Sequence, residues 1–127
     1  MSHFIRYDDD DNLVIINYQG NVTLSDIKAG ALDGMRLAKD RKCMHFLIDG
    51  RQAKFPLSSM DIFKLPEILA NAALGLEIDI SRSRRAVVVD QKQPELLFIE
   101  SVIQEHEQVL KVLDDIDKAK EWLLINY

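Results

Sequence analysis

Strand-like and helix-like segments alternate along this chain, which predicts an α/β fold. The expected form is a single mixed, mostly parallel five-stranded sheet with an N-terminal β-hairpin and about four helices. Three observations carry that expectation. Two β-rich runs, 3–7 and 13–18, flank a short aspartate-rich connection. Three later runs, 44–49, 86–90 and 109–113, are short and mostly apolar, as strands covered on both faces are. The intervening segments carry apolar residues at helical spacing, and strands separated by helices favour parallel pairing through right-handed crossovers.

Length and composition set the outer bounds. A chain of 127 residues fits one domain, 1–127, and 47% hydrophobic with 29% charged residues is ordinary globular composition. The net charge of −5 lacks the basic excess of a general nucleic-acid binder, so no nucleic-acid partner is expected. Cys43 is the single cysteine, which rules out an internal disulfide and points to a reducing compartment. The opening M-S-H-F-I-R-Y lacks the apolar core of a signal peptide, and no apolar run approaches membrane-spanning length. The expectation is a soluble cytoplasmic protein.

In the first hairpin, Asp8-Asp9-Asp10-Asp11-Asn12 is a tight polar turn. Calcium loops space their acids at alternate positions so that side chains converge, and contiguous aspartates do not. Thr23 is the expected N-cap of the first helix, with Asp26 in the first turn where the helix dipole favours negative charge. Leu24, Ile27, Ala31, Met35 and Ala38 form its buried stripe, and Gly30 and Gly34 at the stripe's edge permit close approach to a neighbour. Lys39, Arg41 and Lys42 close the helix with the sign its C-terminus prefers. The next strand, Met44 to Asp49, ends in Asp49-Gly50-Arg51, and His45 within it has no metal-ligand spacing around it.

The segment from Phe55 to Leu76 is one helix or two joined at Pro66. Its apolar arc spans roughly 220°, against about 100° for an ordinary surface helix, so it is either deeply buried or covers something besides the core, and the second is the expectation. The strand Ala86 to Asp90 follows, then a helix opened by Pro94. Leu96, Ile99, Ile103 and His106 line one side of that helix, with Phe98 and Val102 on the adjacent side. Glu105 and Glu107 flank His106 but point to different helix faces, so they do not form a metal set with it. After the strand Val109 to Leu113, Asp114 or Asp115 caps a terminal helix with Ile116, Ala119, Trp122 and Leu123 on its buried face.

The hairpin leading into G-N-V-T-L-S-D-I, the strands F-L-I-D-G-R and R-A-V-V-V-D, and the closing D-D-I-D-K-A-K-E-W-L-L resemble the SpoIIAA-like branch of the STAS domains. Structural classification places that branch near the lipid-binding CRAL-TRIO (Sec14) domains. Anti-sigma-factor antagonists of the family carry a D-S-[ST]-G motif whose first serine is phosphorylated. Leu57-Ser58-Ser59-Met60 stands at that place, keeping both serines and replacing the aspartate and the glycine. Ser58 is thus the candidate phosphorylation site, while a helix N-cap is the simpler reading of Ser58 and Ser59.

Three functional readings follow. The first is a non-catalytic binding domain for an apolar or amphipathic, lipid-like small molecule, motivated by the over-wide arc and implied by the Sec14-type resemblance. Its pocket would lie between the 55–76 helix and the next one, lined by Phe55, Leu57, Ile62, Phe63, Leu65, Leu69, Phe98 and Val102. Pro66 and Gly75 would let the segment move as a lid. Lys54, Lys64, Arg82, Arg84 and Arg85 would meet anionic head groups in peripheral membrane association at the inner face. The second is a protein-interaction module of STAS type, acting as a homodimer or on another protein. The third is a magnesium-dependent phosphate-handling enzyme built on Asp49 and Asp90 at strand ends; without a phosphate loop or nucleophile elbow, it is the least favoured. No resident cofactor is implied.

Overall fold

A computed structural model describes residues 3–91 and 93–125. The sheet runs β1(His3–Asp8), β2(Leu13–Asn21), β3(His45–Lys54), β4(Arg84–Val88) and β5(Val109–Leu113), and its spatial order is the order in sequence. β1 pairs antiparallel with β2 across the aspartate turn, and the other pairs are parallel. Within the turn, Asp8 Oδ1 accepts from the backbone N–H groups of Asp10 and Asp11 at 3.0 and 3.3 Å, which ties the acidic run to its own backbone.

Consecutive parallel strands joined by crossovers of one hand place every connecting helix on the same face. α1(Leu24–Arg41), α2(Ser59–Gly75) and α3(Pro94–Glu105) accordingly share one core with Val14, Ile16 and Tyr18 of β2, Phe46 of β3, Val87 of β4 and Leu110 of β5. The opposite face, carrying Leu13, Ile15, Leu47, Ala86 and Val88, is covered by α4(Ile116–Ile125) through Ala119 and Leu123. Alternation along each strand thus sorts the two cores.

α1 and α2 begin with the same device. Thr23 and Asp26, and Ser58 and Asp61, each exchange side-chain and backbone hydrogen bonds in a capping box. At α4, Asp115 Oδ1 accepts from Lys118 N at 3.0 Å, which settles the cap on the second aspartate. Gly30 and Gly34 are where α1 meets β2: a Cβ at Gly30 would lie 2.2 Å from Tyr18 Oη, and one at Gly34 2.6 Å from Ile16 Cδ1.

The structure departs from the sequence expectation at three places. β3 does not end at Asp49 but continues to Lys54. A register shift between Asn17 and Gln19 puts one extra residue on β3, after which Gln19, Gly20 and Asn21 pair with Gln52, Ala53 and Lys54. β4 starts at Arg84, because Arg84 and Arg85 pair with His45 and Phe46. α2 is one continuous helix with Pro66 inside it, and Phe55 to Ser58 precede it as non-helical chain. Pro66 removes the bond that Ile62 O would accept, yet its ring is fully buried and helical geometry persists on both sides. Gly75 is the last helical residue; the left-handed turn beyond the helix falls instead on Glu77 at φ 59°.

Candidate functional site

The main core contains a cavity of about 70 Å³ between the sheet and the three connecting helices. Its walls come from β2 (Ile16, Tyr18), α1 (Ile27, Ala31, Met35), β3 (Phe46, Ile48), α2 (Leu65, Leu69) and α3 (Leu96, Ile99), with Phe55, Val87 and Leu110 completing them. One charged residue lines it. Arg85 of β4 is 5% exposed, and burial pushes its guanidinium pKa down to about 10. The sole hydrogen bond found for its guanidinium among the described residues is a long one: Nη2 donates to Gln108 Oε1 at 3.4 Å, while Nε and Nη1 have no partner. Gln108 is itself buried and donates through Nε2 to the carbonyl of Pro66 at 3.1 Å.

Adjacent strand residues point to opposite faces, so Arg84 and Arg85 part company. Arg84 turns towards α4, with Cζ 4.3 Å from the centroid of the Trp122 ring. Neither arginine belongs to a surface loop: Arg85 is buried, so the membrane-contact assignment fails for it, while Arg84 is half-buried beside α4. Arg85 could reach a head group only if the strand left the core. Lys54, Lys64 and Arg82 are exposed.

Of the eight residues expected to line a pocket between α2 and α3, Phe55, Leu65 and Leu69 do face a cavity, but it lies beneath α2 against the sheet. Leu57, Ile62 and Val102 are buried in the surrounding core without lining it. Phe63 is 56% exposed and meets Phe98 edge to face, with centroids 5.3 Å apart. Met60, one turn before Phe63, is 64% exposed, and Leu97 on α3 is exposed beside Phe98. The excess of the wide apolar arc therefore divides. Most of it is absorbed by the molecule's own interior, and the remainder is a surface patch rather than a cleft.

Ser58 lies exposed at the start of α2, its Oγ accepting from Asp61 N at 3.1 Å. A polar cleft of about 380 Å³ lies along the edge where β2 and β3 shift register, lined by Asn17, Gln19, Asp49, Arg51, Gln52 and Asp90. Asp49 and Asp90 share this cleft, but Asp49 is already engaged. Arg51 donates to it from Nε at 2.9 Å and Nη2 at 2.8 Å, Arg51 N at 3.1 Å, and Asn17 Nδ2 at 3.3 Å. Those hydrogen bonds, Arg51's side chain foremost, hold the Asp49 carboxyl below its ordinary range. A divalent cation would have to displace the guanidinium first, which removes the physical basis of the two-aspartate magnesium site. Burial and then the charge of Arg84 lower the His45 pKa. His106 caps α3, its Nδ1 2.9 Å from Val102 O. Among the described residues no group of three or more His, Cys, Asp or Glu is placed to hold a metal ion.

The buried Arg85–Gln108–Pro66 chain is the part that reading the sequence missed. The signal available was faint: two arginines directly before an apolar run, one of which must face inward if the strand starts there.

No family model matches the sequence, and no curated protein matches it. Among solved structures, the fold is similar to an uncharacterized protein of the DUF3478 family with a SpoIIAA-like fold from Shewanella loihica PV-4. That likeness has 17% identity, covers 96% of this chain and 92% of that one, and has a TM-score of 0.54. It is also similar, at 11% identity over 92% of each chain and a TM-score of 0.49, to the anti-sigma factor antagonist SpoIIAA in its unphosphorylated form. No helix among the described residues is long and apolar enough to cross a membrane. At such identities a likeness establishes architecture alone, and the architecture of this chain is the SpoIIAA-like, STAS-type α/β fold.

Proposed function

We propose that the protein is a non-catalytic regulatory module of the cytoplasm that works by protein–protein contact, through the face where α2 and α3 meet. The observation that carries this reading is the exposed pair Met60 and Phe63, one turn apart on α2, with Phe63 edge to face against the half-buried Phe98 of α3. Rigid aromatic and Met side chains left in solvent beside one another are the usual anchors of an interface. Lys64 follows Phe63 along α2 and supplies a polar rim. Ser58 borders the same face, but its hydroxyl is committed to the capping box, so on this reading it holds the helix start in place.

A photo-crosslinking residue at position 63 tests the proposal. It should give one discrete adduct in cells, with a second copy of the chain or with another protein. The same residue at Lys118, exposed on the first turn of α4, should give none. Phe63→Ser should abolish complex formation in sedimentation velocity with the captured species while leaving the unfolding midpoint nearly unchanged. Absence of any adduct at 63, or equal labelling at 118, would refute the reading.

A further inference from the structure

We infer that the polar cleft at the β2–β3 register shift is a binding site for one neutral pyranose ring, its hydroxyls held by the polar side chains of the cleft and its C–H face set against Phe4. This goes beyond the protein-contact reading and stands on different residues.

The bulge in β3 builds the site. Past the paired residues Asn17 and Asp49, β2 steps to Gln19 while β3 steps to Gln52, one residue further. In a regular strand Arg51 and Gln52 would point to opposite faces. Here both line the cleft with Asp49, and Ala53 returns to the main core. Asn17 pairs with Asp49 on one side and with Phe4 on the other, so these three side chains form a row on the face that carries α4. Strands about 4.8 Å apart spread a five-stranded sheet over about 19 Å, and a helix is only about 10 Å across. α4 packs on β3, β4 and β5, and Phe4 on β1 is left 58% exposed beside the cleft.

The lining selects the ligand. All six side chains, Asn17, Gln19, Asp49, Arg51, Gln52 and Asp90, are polar. Arg51 holds Asp49 through Nε and Nη2. Its Nη1, and the exposed side chains of Gln19, Gln52 and Asp90, make no hydrogen bond among the described residues. These groups present donors and acceptors together: the amides offer both, Asp90 accepts and Arg51 donates. A hydroxyl also does both, so a polyhydroxylated ring matches the set. An ammonium ion would leave the guanidinium and amide N–H groups without an acceptor. An anion would meet two carboxylates against one guanidinium that Asp49 already engages. A cleft of about 380 Å³ stands near the lower end of the roughly 300–1,000 Å³ of small-ligand pockets, which limits the ligand to about one ring. The Phe4 ring supplies the apolar surface that the C–H face of a pyranose requires.

The experiment follows ¹H–¹⁵N NMR spectra of the full chain during titration with D-glucose, D-galactose and D-mannose, each as the free sugar and as its methyl glycoside. Butylamine, sodium acetate and inorganic phosphate are the comparison probes. At least one sugar should give saturable shifts at the side-chain amides of Asn17, Gln19 and Gln52, with a dissociation constant of roughly 1 mM. The comparison probes should bind at least about tenfold more weakly. Retained binding of the methyl glycoside would identify the terminal residue of a larger glycan as the source, and its loss the free sugar. Asp90→Asn should weaken the bound sugar about fivefold and Phe4→Thr about threefold; both positions are exposed, and either variant serves if the other fails to fold. The inference is overturned if no sugar or glycoside binds saturably, or if the shifts fall outside the cleft. It is equally overturned by unchanged affinity in either folded variant, or by a comparison probe binding as tightly as the sugar.

Discussion

Replacement of Arg85 by methionine is the perturbation whose sign most directly tests the account of the core. In an ordinary core an arginine with good partners is costly to remove, but Arg85 has one long bond and two nitrogens without acceptors. Burial pushes its pKa down to about 10, which corresponds to about 3 kcal/mol borne by the charged form, at about 1.4 kcal/mol per tenfold. Against that relief stand two losses. Gln108 Oε1 would be left without its described partner, costing about 1 kcal/mol. The shorter side chain would also enlarge the cavity by about 40 Å³, costing about 1 kcal/mol at about 24 cal/mol per Å³. The net expectation is a gain of about 1 kcal/mol for the unliganded protein, in line with the general finding that buried charge replaced by apolar volume is neutral or stabilising. Urea denaturation followed by circular dichroism reads it as a midpoint raised by about 0.5 M with an unchanged slope. Arg85→Lys, which keeps a charge in the same walls, should show no such gain. A loss of more than about 1 kcal/mol in Arg85→Met would refute the reasoning, because it would mean that the guanidinium is fully satisfied where it lies.

Other perturbations probe the frame around the site. Gly30→Ala must displace the Tyr18 ring and its bond to Ile27 O, costing about 2 kcal/mol in chemical denaturation, whereas Gly34→Ala meets only the flexible tip of Ile16 and should cost less. Ser58→Ala removes the cap at the start of α2 and should cost about 1 kcal/mol by the same measurement, with Ser58→Asp recovering most of it. Asp49 is held in its charged form by Arg51, so its stabilisation is present above the ordinary carboxylate value of 3.8 and is lost as pH falls through its lower folded value. Acid unfolding of Asp49→Asn should therefore lack that part of the wild-type decline below about pH 4.

Much of the architecture could be read from local pattern alone. The hairpin with its aspartate turn, the alternation of helices and strands, the caps at Thr23 and Ser58, and the close approach allowed by Gly30 and Gly34 depend on residues near one another in the chain. The functional surfaces depended on pairing between distant segments. β3 runs on to Lys54 because β2 supplies a partner beyond the shifted register, and nothing in G-R-Q-A-K announces that. Likewise β4 begins at Arg84 because His45 is there to pair with it, which carries the alternation of faces back to both arginines. That parity sends Arg84 to the Trp122 ring and Arg85 into the core beneath α2. For α2, helical periodicity showed an excess of apolar surface but could not apportion it. Packing against the sheet and α3 buried Ile62, Leu65 and Leu69 and left Phe63 and Met60 outside, because which side of a helix meets a neighbour is settled by where that neighbour lies.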